Sequence, residues 1–174
     1  MKLIQSTSVY RGKVFDVHQD IIQLPDGEQH QIDLIQHYPA VTMVPVDAQG
    51  QIWFVRQYRH PANNYLLELP AGVMDPGEAP EISALRELRE EIGMAAKSLE
   101  SIGGFYLAPG YSTEYMHVFL ASELFPSPLP GDPDERIEIV KIPIIQVNRL
   151  IESKEIQDAK SLSALFLAQK RLAF

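Results

Sequence analysis

Glu87, Glu90 and Glu91 close the stretch "GVMDPGEAPEISALRELREEIGM", residues 72–94, at spacings of three and four. On a helix such residues share a face. Like charges placed this way repel by about 0.2–0.5 kcal/mol per pair, so the cluster needs a compensating cation. Hard carboxylate oxygens suit Mg²⁺ or Mn²⁺, and Mg²⁺ usually keeps several waters and takes few protein carboxylates beside substrate phosphates. An incomplete acidic cage therefore points to phosphate chemistry: a cation neutralises phosphoryl oxygens and acidifies the attacking water. The competing reading is a solvated helix face on which Arg86 pairs with Glu90 and Arg89 with a neighbouring acid. The preceding "LPAGVMDPGE" argues against it. Glycines at 72 and 77 and a proline in each half make a tight loop that brings bare backbone carbonyls to the helix, one of which can serve as a neutral ligand.

Two helices must position this chemistry. Residues 80–92 set Ile82, Leu85, Leu88 and Ile92 on one apolar face, with Pro80 at the first turn and Gly93 as the stop. Residues 158–172, "DAKSLSALFLAQKRL", start on Asp and finish basic, as the helix dipole favours. Strands are expected on both sides of the first helix. Residues 1–37 read as a β meander, "SVYRGKVFDVHQDIIQL" and "EQHQIDLIQHY" about the turn "PDGE". "AVTMVPVD" and "QIWFVRQY" form a hairpin turning near Ala48 to Gly50, and "SLESIGGFYLAPG", "EYMHVFLASEL" and "RIEIVKIPI" follow. "FPSPLPGDPDE" is too rich in proline for a regular element and reads as a long, mobile loop. The expected class is α+β, helices covering a mixed sheet, with an N-terminal β region over 1–37 and a catalytic domain over 38–174.

The net charge of −8 argues against broad electrostatic binding of nucleic acid. An anionic substrate then needs local cations, and "VRQYRH" offers Arg56 and Arg59. Their spacing puts them on opposite faces of a regular strand, so a bulge or strand end is required if both touch phosphate. The absence of cysteine removes thiol nucleophiles, thiolate metal sites and disulfides, and fits the cytoplasm. No apolar run reaches the length of about 18 residues that a membrane span requires, and the N-terminal segment carries no secretion signal, so neither fate is expected.

The pattern Gly72, five residues, Glu78, seven residues, Arg86-Glu87-Leu88, one residue, Glu90-Glu91, one residue, Gly93-Met94 resembles the Nudix hydrolase box in full. Chance agreement is on the order of one in a billion per starting position, which disposes of the solvated-face reading. "VRQYRH", "LLELPAG", "GGFYLAPGYSTE" and "DAKSLSALFLA" extend the resemblance to the ADP-ribose pyrophosphatase branch, as does Pro109, sixteen residues after Gly93. The resemblance implies a Nudix α/β/α sandwich, a swapped homodimer, and Mg²⁺- or Mn²⁺-dependent hydrolysis of ADP-ribose to AMP and ribose 5-phosphate. The alternatives are another nucleotide sugar such as GDP-mannose, or a silent nucleotide-binding module, although a silent relative is expected to lose box acids.

By the same resemblance Glu87 and Glu91 are the primary metal ligands, Glu90 shares in their cluster, and the Ala71 carbonyl contributes from the loop. Arg86 orients the acids. Glu78 serves either the loop-to-helix structure or the outer metal shell. Arg59, with Arg56 less favoured, binds phosphate or the terminal ribose, and Pro109 belongs to the substrate side. Glu68 bonds either substrate hydroxyls or a neighbouring Arg. Glu135 is the expected general base, with Asp134 and Glu138 as alternatives. Glu114 stands where the branch often has an acid, and a capping role fits it equally. Tyr10 or Phe15 is expected to stack on adenine across a dimer interface.

Overall fold

A computed structural model describes residues 1–131 and 135–172. Its centre is made by β4 (Ala40–Pro45) and β5 (Gln51–Arg59), whose "AVTMVP" and "IWFV" are apolar without alternation. That pattern belongs to strands covered on both sides. Alternate residues feed two cores. Val41, Met43, Trp53 and Val55 join Ala84, Leu88 and Ile92 of the first helix, whereas Val44, Ile52 and Phe54 join Ala164, Leu165 and Ala168 of the last.

The strands β7 (Ala71–Val73), β8 (Met94–Tyr106) and β9 (Tyr115–Pro126) form with β4 a sheet of order β7-β4-β9-β8, in which β4 and β9 run parallel. A second sheet, β10-β5-β6, adds β6 (Asn64–Glu68) and β10 (Ile137–Pro143). Helices α1 (Pro80–Glu91) and α3 (Ala159–Leu172) cover opposite sides, giving a mixed α/β/α sandwich. A short helix, α2 (Val147–Glu152), was not legible because six residues are too few to establish a helical period.

Several expectations need correction. The first N-terminal run is two strands, β1 (Lys2–Arg11) and β2 (Phe15–Gln23), broken at Gly12, where the amide bonds to the Phe15 carbonyl at 3.1 Å. With β3 (Gln29–His37) they form an antiparallel sheet of their own. The turn at Asp47 to Gly50 exists, but its two strands enter different sheets. On α1 the buried face is Ser83, Ala84, Glu87, Leu88 and Glu91, so Ile82 points outward at 59% exposure. The proline-rich segment is tied down over its first half: Ser127 donates to the Gly93 carbonyl, Leu129 to the Arg89 carbonyl, and Arg89 Nε to the Ser127 carbonyl, at 3.0, 3.0 and 2.9 Å.

The N-terminal sheet meets the rest of the chain through β3. Ile35 donates to the Tyr111 carbonyl at 2.7 Å, Thr113 donates back to Ile35 at 3.0 Å, and Thr113 Oγ1 donates to the His37 carbonyl at 3.0 Å. Lys13, Val14 and His37 are thereby brought to the edge of the central cleft. All ten residues of β1 are exposed, Leu3, Ile4, Val9 and Tyr10 among them.

Candidate active site

The corner between β7 and α1 is built around a missing side chain. Gly72 lies against Glu87 so closely that a Cβ would overlap the Glu87 carboxyl carbon and both its oxygens. The glycine is there for room. One turn further along α1, Glu91 Oε2 accepts from the Ala71 amide at 3.0 Å. Glu87 and Glu91 are each 8% exposed, the helix having turned them toward the sheet.

Arg86 links the acids. Its Nε and Nη2 donate to the two oxygens of Glu78 at 3.1 and 2.9 Å, and its Nη1 donates to Glu87 at 2.6 Å and Glu90 at 2.9 Å. Nη2 also reaches the Val73 carbonyl at 3.2 Å and Ser83 Oγ at 3.1 Å. This fork holds Glu78 down at about 2, and the Asp75 amide donates to the same carboxylate at 3.1 Å, so Glu78 ties the loop to the helix by contact. Arg86 thus makes the expected pairing with Glu90 and bonds Glu78 and Glu87 as well.

Glu87 behaves differently. Burial pushes its carboxyl up to about 7, with Arg86 opposing and the charges of Glu90 and Glu135 adding. Burial also raises Glu91 well above the usual carboxylate range, with Glu87 and Glu135 adding and the Ala71 amide and Lys160 opposing. Two buried, mutually repelling carboxylates are short of positive charge, and hard oxygens in that condition fit a divalent cation. Among the described residues no three acid or histidine side chains form a finished cage. An ion held here would draw its remaining ligands from the Ala71 carbonyl, water and substrate.

These groups border a cleft of about 670 Å³. Glu87, Glu90, Arg86, Ala71, Arg59 and Glu135 line it, whereas the buried Glu91 does not. Glu114 lines it as well. On another wall Arg59 donates Nε and Nη2 to the two oxygens of Glu68 at 2.9 and 2.8 Å. Lys160 bonds the same carboxylate and approaches Asp158 at 3.2 Å. Burial pushes Glu68 up, but the bonds from Arg59 and Lys160 outweigh it and the net shift is down. Glu68 is thus bonded by Arg59 and by Lys160. Lys160 lines the cleft. Sequence reasoning missed it, although a lysine in the first turn of a helix, against the dipole, was a signal.

Other candidates lie elsewhere. Arg56 is exposed opposite Glu138 in the β5–β10 ladder, and neither lines the cleft. No bulge brings Arg56 round to the side of Arg59, since β5 pairs in continuous register from Gln51 to Gln57. Pro109 sits in the turn closed by the Tyr111 amide on the Ala108 carbonyl at 3.1 Å and does not line the cleft. Asp134 lies outside the described residues. Tyr10 and Phe15 are exposed and pack on each other at 6.3 Å, while Lys13 and Val14 between them reach the cleft of their own chain.

A loop-helix corner carrying this acid spacing, on a mixed α/β/α sandwich, defines a Nudix hydrolase. Residues 36–165 match the NUDIX domain, and the chain belongs to that family, whose hydrolases are generally dependent on divalent metal. Within it, the chain is 37% identical to an ADP-ribose pyrophosphatase of Bacillus subtilis over 174 residues, covering 99% of this chain and 94% of that one. It is 31% identical to a GDP-mannose pyrophosphatase of Yersinia enterocolitica, covering 69% of this chain and 67% of that one. The crystal structure of an ADP compounds hydrolase superposes with a TM-score of 0.88 at 28% identity, covering 99% of this chain and 94% of the other.

Proposed function

We propose that this chain hydrolyses the diphosphate bond of ADP-ribose, or of a closely related nucleoside diphosphate sugar, to AMP and ribose 5-phosphate. The observation that carries this reading is the pair of buried, raised carboxylates, Glu87 and Glu91, packed against Gly72 at the cleft, in a chain similar over nearly its whole length to an ADP-ribose pyrophosphatase. Glu87, Glu90 and Glu91, with the Ala71 carbonyl, hold Mg²⁺, with Mn²⁺ as the alternative. When bound, the ion neutralises diphosphate oxygens and supplies a water of lowered pKa.

The residues divide the remaining work. Arg86 fixes Glu87 and Glu90 by bonds that leave their other oxygens for ligation. Arg59, already oriented by Glu68, offers its remaining Nη1 to phosphate or the terminal ribose. Glu135 lines the cleft and accepts the proton of the water whose oxygen attacks phosphorus as the bridging P–O bond breaks. We further assign residues 1–37 to a dimerising β region and 38–174 to the catalytic domain. A three-stranded sheet that exposes Leu3, Ile4, Val9, Tyr10, Phe15 and Ile32 is poorly covered by its own chain, and a second copy in a homodimer would cover it. No helix among the described residues is long and apolar enough to cross a membrane, and a cysteine-free chain fits the cytoplasm.

Hydrolysis of GDP-mannose is the second reading, favoured by the Yersinia relative. A panel of ADP-ribose, GDP-mannose and other nucleotide sugars with Mg²⁺, followed by chromatography of the nucleoside monophosphate, ranks them by kcat/KM. Release of AMP from ADP-ribose at the highest kcat/KM is the expected result. No turnover of ADP-ribose by folded, metal-loaded protein overturns the first reading.

A further inference from the structure

Among the described residues, Arg59, Arg86 and Lys160 line the cleft beside Lys13 of the N-terminal sheet. Arg86 is bonded to Glu78, Glu87 and Glu90, and Arg59 directs two of its nitrogens to Glu68. Lys160 shares the buried Glu68 with Arg59 and adds Asp158 as a second partner. Glu68 is bonded on both oxygens by the Arg59 fork, and Lys160 is a second cation on the same carboxylate. Lys160 stands in the first turn of α3, where the helix dipole disfavours a positive charge. Its side chain is only 12% exposed, so the ammonium is held largely away from water. Two carboxylates, Glu68 and Asp158, restrain it. An ammonium has three donors, and these two partners leave one for the cleft that Lys160 lines.

We propose that Lys160 binds substrate: its ammonium donates to a diphosphate oxygen, on the same wall of the cleft as Arg59. The assignment rests on the diphosphate-hydrolase reading. Asp158 has a matching role, since its carboxylate caps the Lys160 and Ser161 amides at 3.1 Å each while holding the ammonium. The Ser161 hydroxyl accepts from the Leu69 amide at 2.7 Å, which locks the first turn of α3 to the strand end leading into Gly72. A rigid mount of this kind suits a residue that must meet substrate at a fixed point.

Calorimetric titration with inorganic pyrophosphate and Mg²⁺ reads the contact without turnover, and KM for ADP-ribose reads it with turnover. Lys160→Met should weaken pyrophosphate binding about tenfold to hundredfold, the range of a charge-assisted bond, and raise KM to match. The chain has no cysteine, so Lys160→Cys can be alkylated at one site only. Aminoethylation, which restores an ammonium, should recover most of the lost affinity; methylthiolation, which adds bulk without charge, should not. Equal recovery by both reagents, unchanged binding and KM in Lys160→Met, or failure of both variants to fold would overturn the proposal. Wild-type protein that binds pyrophosphate but turns over no nucleotide sugar removes the substrate reading alone, and wild-type protein that turns over ADP-ribose but binds no pyrophosphate removes the Lys160 proposal alone.

Discussion

Replacing Gly72 by Ala separates the chemistry of the corner from its folding. The added Cβ would overlap the carboxylate of Glu87, so that group must withdraw by about 1.4 Å or more to reach ordinary van der Waals distance. The obstructing atoms are the end of a flexible side chain, and Gly72 has no left-handed φ that Ala would strain. An off-rotamer glutamate costs about 0.5–1.5 kcal/mol, and the alanine returns about 0.4–1 kcal/mol by restricting the unfolded chain. Net stability should therefore change by no more than about 1 kcal/mol. Activity should respond far more, because a displacement of about 1 Å at a positioning group costs on the order of 10²-fold. Urea unfolding of the metal-free protein beside steady-state kinetics of Gly72→Ala tests both halves. The expected pair is a nearly unchanged midpoint with kcat down about a hundredfold. Wild-type kcat would refute the claim that the glycine exists to seat this carboxylate, and a loss of several kcal/mol would refute the claim that only a side chain has to move.

Metal-free protein should lose stability as pH rises from about 4.5 to about 7. The folded-state pKa of Glu87 is raised from 4.5 to about 7, so the contribution is whole below the unfolded value and gone above the folded one, at most about 3 kcal/mol. Urea titrations in EDTA at pH 5, 6, 7 and 8 measure this. Because a cation can replace the proton, Mg²⁺ should raise Tm more at pH 8 than at pH 6, and equal shifts would count against Glu87 as a ligand. Arg86→Lys keeps the charge but cannot span Glu78, Glu87 and Glu90 at once, so kcat should fall at least about tenfold with KM little changed; unchanged kcat removes its orienting role. Deleting residues 1–37 should leave a monomer by analytical ultracentrifugation, and a dimer that survives the deletion would place the interface elsewhere.

The acid cluster was legible because a fixed spacing on a helix is already a geometry: residues three and four apart share a face whatever surrounds them. The central strands were legible for a similar reason, since an unbroken apolar run in a strand implies cover on both sides. Legibility failed where the deciding contact joins distant residues. Lys160 and Glu68 are 92 positions apart, and nothing in "LLELPAG" or "DAKSLS" announces that they meet. Glu68 looked equally suited to substrate hydroxyls and to an arginine until Arg59 and Lys160 closed on it. The proline-rich segment read as mobile because its composition forbids helix and strand, yet Arg89 and two amides fasten its first half to the end of α1. Composition constrains regular structure and says little about tethering.

The misjudged face of α1 shows how the site is related to the fold. An apolar stripe through Ile82, Leu85, Leu88 and Ile92 would have made an ordinary amphipathic helix. The helix instead turns Ala84, Leu88 and Ile92 inward together with Glu87 and Glu91, leaving Ile82 in water. Two seats in the interface with the sheet are thus occupied by carboxylates whose charged form burial opposes. Ligation of a cation reverses that opposition, because a neighbouring double positive charge favours the ionised acids. The same two residues therefore oppose the metal-free fold in their ionised form, and under the proposed function a cation bound beside them would relieve that opposition. Stability given up at a functional centre must be made good elsewhere, and here two cores on opposite sides of β4 and β5 do so, with α1 held from behind by Leu88 and Ile92 and at its end by Arg89.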